Sequence, residues 1–174
     1  KYWNFIKLMR RSASHIALEC ALQTQPNVCL ISEEIETKEM SLDDVVTYIA
    51  KIVADRAADG NNFGTVLIPE GLIEFIPAIK KLIAELNEVL TDPTTGESRE
   101  FANEEEQIDF VKNSIAKDNL AVLESLPEDV ARQLCLDRDP HGNVQVSLIE
   151  TEKLLSRMVA TKLEACKEEG KFNG

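Results

Sequence analysis

The stretch GTVLIPEG, residues 64–71, joins a short apolar run to a proline, a glutamate and a glycine. Its apolar run, TVLIP, is typical of a strand that is buried on both faces, as in parallel sheets. The segment that follows, residues 71–90, repeats apolar residues at helical spacing and predicts a helix with a bend or restart at Pro77. The stretch therefore predicts a buried strand followed by a helix, with Glu70 at the junction.

Two further strand–helix units precede this stretch. The aromatic and β-branched run YWNFIKLM, residues 2–9, predicts a strand that leads into a helix over residues 12–25. The run VCLIS, residues 28–32, predicts a second buried strand. Ser41 with Asp44 three residues later is typical of a capping box at the start of another helix.

The alternation of strands and helices over residues 1–90 predicts an α/β fold built on a parallel sheet, in a Rossmann-like arrangement. In such sheets, ligands collect at the carboxyl ends of strands, where the next helix presents free N–H groups. Arg10, Arg11 and Glu70 all occupy that kind of position. Residues 91–174 show no strand alternation and predict a mostly helical insertion closed by a long amphipathic helix.

The composition excludes several classes of function. A formal net charge of −12 repels nucleic acid and anionic membranes, and no stretch has the length of a membrane span. The four cysteines and two histidines show no zinc-like spacing, and Cys20, Cys29 and Cys135 are interpreted as small core residues of a cytosolic protein. Because the net charge is strongly negative, any phosphate-bearing ligand needs a local positive pocket.

The candidate site residues each admit two interpretations. A guanidinium of Arg10 or Arg11 at a strand-to-helix junction can bind phosphate bidentately, but an exposed arginine paired with a carboxylate fits the same pattern. Glu70 can accept hydrogen bonds from sugar hydroxyls, complement the dipole of the next helix, or do both. His15 is interpreted as a structural histidine, and the Glu33–Glu34 pair as a solvated loop rather than a metal site.

Three stretches of the chain together are similar to a known family. They are KYWNFIKLMRRSASHIALECALQTQPNVCLISEE (1–34), GTVLIPEGLIEFIP (64–77) and LDRDPHGNVQVSLIETEKLL (136–155). Their order and spacing resemble the long form of pyrophosphate-dependent phosphofructokinase over essentially the whole chain. The resemblance implies a phosphofructokinase-like fold in which residues 91–174 form the insertion that distinguishes the long form.

The resemblance implies that the parent protein phosphorylates fructose 6-phosphate at its 1-hydroxyl, with pyrophosphate as the donor, in a reversible reaction. The products are fructose 1,6-bisphosphate and phosphate. The family motif that binds fructose 6-phosphate falls on Met9, Arg10 and Arg11, and the glutamate that contacts the sugar falls on Glu70. Residues 1–90 are then part of the fructose 6-phosphate-binding domain.

The resemblance also implies partners and a cofactor. Lys1 and Tyr2 correspond to a pair that reaches the substrate bound in a partner subunit, which implies a homodimer or higher oligomer. Mg²⁺ and a cytoplasmic location are expected from the family. The pyrophosphate-binding segment and the catalytic aspartate would precede Lys1, so we expect no catalytic residue and no metal ligand in this chain, and an isolated fragment without activity.

One position departs from the family pattern. Arg10 stands where the family has a glycine, and a glycine lets the backbone approach a ligand closely. The arginine could crowd the sugar or point outward and add positive potential. This departure leaves open a non-catalytic regulatory subunit of the same family. An ATP-dependent phosphofructokinase also stays open, because the residues that choose the phosphoryl donor lie outside this chain.

Overall fold

The protein is described by a computed structural model that covers residues 2–9, 14–139, 141 and 143–168. The chain divides into two compact units, the first formed by residues 1–76 with 150–174 and the second by residues 77–149. In chain order the described elements are β1 (Trp3–Leu8), α1 (Ser14–Thr24), β2 (Val28–Cys29), α2 (Ser32–Thr37), α3 (Leu42–Ala58), β3 (Gly64–Pro69), a 3-10 helix (Leu72–Phe75), α4 (Pro77–Leu90), α5 (Glu104–Ser114), α6 (Lys117–Ser125), α7 (Glu128–Leu136), a second 3-10 helix (Val146–Leu148) and α8 (Thr151–Glu168).

The first unit is built on a parallel sheet with the strand order β1-β3-β2. Strand β1 pairs with β3 from Trp3 opposite Gly64 to Leu8 opposite Pro69. The third strand in sequence lies between the other two. Because all three strands are parallel, the chain must cross back between successive strands, and each of these links carries helices, as the alternating pattern predicted. The parallel α/β fold predicted from the sequence is confirmed.

Strand β3 supplies the centre of the sheet. Val66 and Ile68 are fully buried, and Leu67 on the opposite face is 4% exposed. Burying each of these side chains on folding stabilises the protein by about 1.5–3 kcal/mol. An apolar run without alternation is what a strand covered on both faces requires.

Helix α3 begins at the predicted capping box. The Ser41 side chain accepts a hydrogen bond from the Asp44 N–H at 3.1 Å, and the Asp44 carboxylate accepts one from the Ser41 N–H at 2.9 Å. The helix packs against α8, which in turn contacts β1. At this contact Lys162 Nζ of α8 donates to Asp43 Oδ1 of α3 at 2.8 Å. These contacts hold α8 against α3 and β1 within the first unit.

The second unit is a group of helices around α4. Its buried stripe, Ile79, Leu82, Leu86 and Leu90, recurs at three- and four-residue spacing and faces α5, α6 and α7. Side-chain hydrogen bonds reinforce this packing: the Glu85 carboxylate accepts from the backbone N–H of Ala116, just before α6 begins, at 2.9 Å.

The two units divide the chain at different residues from the sequence-based boundary at residue 90. Helix α4 belongs to the helical unit because its buried stripe faces α5, α6 and α7. Helix α8 belongs to the sheet unit because Leu154, Leu155 and Val159 are buried where it packs on α3 and β1. The functions attached to residues 1–90 and 91–174 stay predictions.

Local differences from the sequence analysis are confined to short segments. The predicted strand at residues 28–32 ends at Cys29, although the Leu30 N–H still donates to the Leu67 carbonyl at 3.0 Å. The Glu33–Glu34 pair lies in the first turn of α2, so the predicted loop is wrong there. Both carboxylates are at the helix N-terminus, where the helix dipole favours negative charge.

The cysteines differ in burial. Cys135 is 2% exposed, as expected for a core residue, whereas Cys20 and Cys29 are only half-buried. Burial raises the pKa of the Cys29 thiol, and the neighbouring Cys20 raises it further. Among the residues that the structure describes, no helix is both long and apolar enough to cross a membrane.

Candidate functional site

The candidate site lies where β1 and β3 end side by side. The backbone N–H of Glu70 donates to the carbonyl oxygen of Leu8 at 3.0 Å, which extends the pairing of the two strands by one step beyond Pro69. Met9 follows Leu8 directly. Two segments that are far apart in sequence, Leu8–Met9 and Glu70–Gly71, therefore leave the same edge of the sheet together.

The chain turns sharply after Glu70. Gly71 has φ = +73°, a left-handed conformation that costs glycine nothing and other residues about 1–2 kcal/mol. The 3-10 helix starts immediately, with the Glu74 N–H bonded to the Gly71 carbonyl at 2.9 Å, and it is anchored by the buried Leu72 and Ile73. This turn leaves Glu70 half-buried at the end of a rigid strand.

Met9 and Tyr2 occupy opposite ends of β1. Each is 83% exposed, and the Tyr2 carbonyl accepts the Gly64 N–H at 3.3 Å at the amino end of the sheet. Seven residue steps of extended chain separate them by roughly 20 Å. Met9 and Glu70 are therefore brought together, and Tyr2 is not brought to them.

The remaining predicted site residues lie outside the described residues. These are Lys1, Arg10 and Arg11. The described chain resumes at Ser14 with α1, whose first turn holds no acidic residue. Negative charge in that turn would weaken the pull of the helix N-terminus on an anion. The roles assigned to the two arginines stay predictions.

One pair of charged residues beside the site was not identified from the sequence. Lys7 of β1 and Glu152 of α8 face each other with Nζ and Oε2 3.7 Å apart. Their side chains are only 25% and 21% exposed. Because the two residues lie in elements far apart in the chain, no local pattern connects them; the only sequence signal is an acidic residue in the first turn of α8.

The secondary candidates of the sequence analysis lie elsewhere. His15 is exposed on α1, and its interpretation as a hydrogen-bonded structural histidine stays a prediction. Glu34 forms an ion pair with Lys38 within one turn of α2. Within the described ranges, no three or more His, Cys, Asp or Glu side chains cluster so that they could hold a metal ion. The described residues therefore offer no cluster of side chains that fits a Mg²⁺ site.

Among the titratable groups that the structure describes, the largest pKa shift is in the second unit. Burial lowers the pKa of Arg138 to about 10. Its Nη1 donates to Asn87 Oδ1 at 3.0 Å, and its Nη2 donates to the Leu134 carbonyl at 2.6 Å. The carboxylate of Asp139 accepts the backbone N–H groups of His141 and Asn143 at 2.9 and 2.8 Å. These bonds fix a loop within the helical unit and are interpreted as structural.

Comparison with known proteins finds relatives that share one name, although it finds no matching family model. No protein-family model matches the chain. The chain is 60% identical over its whole length to a pyrophosphate–fructose 6-phosphate 1-phosphotransferase of Porphyromonas gingivalis, covering 31% of that protein. It is 51% identical over its whole length to the protein of the same name from Treponema pallidum, covering 30% of it.

A relative named as a subunit matches equally broadly. The chain is 47% identical over 99% of its length to the pyrophosphate–fructose 6-phosphate 1-phosphotransferase subunit beta 2 of Arabidopsis thaliana, covering 28% of that subunit. The chain thus spans somewhat less than a third of the length of the relatives it matches. Identity at this level over essentially every residue of the chain shows that it belongs to the family of pyrophosphate–fructose 6-phosphate 1-phosphotransferases.

Proposed function

We propose that the full-length protein transfers a phosphoryl group from pyrophosphate to the 1-hydroxyl of fructose 6-phosphate, giving fructose 1,6-bisphosphate and phosphate. The sugar's O1 attacks a phosphorus of pyrophosphate and forms the new O–P bond. The bond between that phosphorus and the bridging oxygen of pyrophosphate breaks, and the hydroxyl proton passes to a base. The names of the three relatives support this reaction. The present chain contributes to the binding of the sugar phosphate.

The single observation that carries this role is the hydrogen bond between the Glu70 N–H and the Leu8 carbonyl. This bond joins the ends of β3 and β1. The glutamate that is predicted to contact the sugar stands at the end of β3, and the segment that is predicted to bind phosphate follows β1. Carboxyl ends of parallel strands are the usual ligand-binding edge of α/β sheets. Two independent sequence segments converge there, which supports a binding site more strongly than either alone.

Each residue has a proposed task at this edge. Arg11 neutralises the 6-phosphate through a bidentate contact, Met9 and Arg10 flank it, and the Glu70 carboxylate accepts hydrogen bonds from sugar hydroxyls. These are positioning roles. Phosphoryl transfer depends strongly on positioning, because holding both reactants in line removes much of the entropic barrier.

The donor site and the base are proposed to lie outside this chain. All three relatives are named for pyrophosphate, which favours this donor over ATP. Mg²⁺ is proposed as the cofactor from the family resemblance, with ligands elsewhere in the protein. A cytoplasmic location is proposed on the same ground.

We also propose that the protein works as a homodimer or higher oligomer in which Lys1 and Tyr2 reach the substrate of a partner subunit. The exposure of Tyr2 and its distance from Met9 and Glu70 are compatible with a role in another site. The Arabidopsis relative, named as a subunit, also supports an assembly.

The test is an assay of the full-length protein with fructose 6-phosphate and either pyrophosphate or ATP. Turnover with pyrophosphate and none with ATP is the expected result. Turnover with ATP alone would contradict the proposed donor. No turnover with either donor, restored by Arg10→Gly, would show that the departure at residue 10 disables the site and favour the regulatory-subunit alternative.

A further inference from the structure

We infer that Lys7 and Glu152 form a positioning pair that fixes the carboxyl end of β1, the strand end from which the proposed substrate-binding segment continues. The inference rests on the proposed function for its link to fructose 6-phosphate. Its structural part concerns only the strand end and can be tested without any substrate.

The surroundings of the Glu152 carboxylate favour its pairing with Lys7. Its Oε2 has essentially no contact with solvent, and no hydrogen-bond donor reaches that oxygen within the part of the chain that the structure describes. A carboxylate withdrawn from water needs a nearby positive charge, because water screens and solvates it poorly there. Two features meet that need: the Lys7 ammonium at 3.7 Å and the N-terminal turn of α8, in which Glu152 lies.

The position of Lys7 explains what the pair controls. Lys7 pairs with Ile68 in the sheet, one step before Leu8, whose carbonyl accepts the Glu70 N–H. Lys7 is the last residue but one of β1, which ends at Leu8, and Met9 follows directly. The pair therefore ties the carboxyl end of β1 to α8. The residues that are predicted to bind phosphate follow directly after this strand end.

A second pair nearby provides a matched control. Lys153 and Glu150 form an ion pair at 2.7 Å at the same end of α8, but their side chains are 60% and 54% exposed. Exposed pairs of this kind contribute little to stability or geometry. Removing that pair changes the same number of charges in the same region without releasing the strand.

The experiment compares Lys7→Met and Glu152→Gln with Lys153→Met and Glu150→Gln in the full-length protein. Each variant removes the charge of its side chain: glutamine keeps the length of glutamate, and methionine is one atom shorter than lysine in both the test and the control variants. We expect the first two to raise the KM for fructose 6-phosphate about tenfold and to leave the KM for pyrophosphate within twofold, because a misplaced binding segment weakens only its own ligand. The control variants should stay within twofold for both substrates.

A charge-reversed double variant, Lys7→Glu with Glu152→Lys, should recover most of the lost affinity, since it restores opposite charges at the same two positions. KM values for fructose 6-phosphate within twofold of wild type in both Lys7→Met and Glu152→Gln would overturn the inference. A lowered unfolding temperature with unchanged KM values would likewise show that the pair only stabilises the fold.

Hydrogen exchange supplies a readout that needs no turnover. In Glu152→Gln the Glu70 amide should exchange at least about tenfold faster, relative to the Val66 amide in the middle of β3. An unchanged ratio would overturn the inference. If the wild-type protein shows no phosphotransferase activity, that result counts against the proposed function, and the exchange ratio alone decides whether the pair fixes the strand end.

Discussion

Gly64 lies directly against the indole of Trp3, so that a Cβ added to Gly64 would be 2.5 Å from Trp3 Cζ3 and 2.6 Å from Asn27 Oδ1. Both neighbours are held in place. The Arg56 guanidinium stands 5.9 Å from the centre of the Trp3 ring, and the Asn27 Oδ1 accepts the Thr65 N–H at 2.9 Å. The absence of a side chain at Gly64 therefore lets β1 and β3 pair at their amino ends.

Gly64→Ala should destabilise the sheet unit by about 1–3 kcal/mol, because the new methyl group forces the indole and the amide apart. Thermal unfolding of the full-length protein measures the effect, with Asn62→Ala in the adjacent exposed loop as the control. The cost should shrink when Trp3 is replaced by Leu in the same protein. An unfolding temperature for Gly64→Ala equal to that of wild type would show that the strands adjust freely.

The effect of pH on α3 follows from its capping box. Hydrogen bonds from the Ser41 hydroxyl and the Ser41 N–H hold the pKa of the Asp44 carboxyl below its ordinary value of 3.8. Since folding favours the ionised form, the stabilisation is present above that ordinary value and is lost as the pH falls through the lower pKa of the folded state. The difference in unfolding temperature between wild type and Asp44→Asn should be constant from about pH 5 to 7 and shrink below about pH 4.

Asp55→Asn, on the same helix but outside the cap, reports the effect of removing an exposed carboxylate without a capping role. A difference between wild type and Asp44→Asn that persists undiminished at pH 3 would mean that the charge of Asp44 does not stabilise the cap.

Asn87 connects α4 to the loop after α7. Its Oδ1 accepts both the Val144 N–H at 2.9 Å and the Arg138 Nη1 at 3.0 Å, and Val144 is only 8% exposed. Asn87→Ala should destabilise the helical unit by about 2–3 kcal/mol, because it leaves a buried backbone donor and a largely buried guanidinium without this acceptor.

The measurement for Asn87 is amide exchange of Val144 together with thermal unfolding. Asn87→Asp, which keeps an acceptor oxygen, should retain most of the protection, and Glu88→Ala on the exposed side of α4 should change neither quantity. Equal protection of the Val144 amide in Asn87→Ala and wild type would rule out this connection.

The strands and helices of the sheet unit could be predicted because their signals are local. An apolar run marks β3, and a serine and an aspartate three residues apart mark the start of α3. Helix α2 differs from the sequence-based interpretation because it lacks such a local signal. It has six residues, and Ile31 at its N-cap makes no side-chain capping bond. Without a cap and with only one and a half turns, the segment has no pattern that separates it from a loop.

Relationships across the chain could not be predicted in this way. The order β1-β3-β2 and the packing of α8 on α3 depend on contacts between distant residues. At the site, Glu70 and Met9 were identified at the ends of two strands. The hydrogen bond that joins these strand ends runs from the Glu70 N–H to the Leu8 carbonyl, and predicting it needs the pairing register. The Lys7–Glu152 pair depends on both, which is why no sequence pattern revealed it.

The central claim is that the edge formed by the ends of β1 and β3 binds fructose 6-phosphate, and the KM of Glu70→Ala tests it most directly. A hydrogen bond to a charged group contributes about 1.5–3 kcal/mol, so losing the carboxylate should raise the KM for fructose 6-phosphate about 10- to 100-fold in the full-length protein. Glu74→Ala, one turn further along the chain, should stay within twofold and serves as the control. A KM for Glu70→Ala within twofold of wild type would contradict the claim.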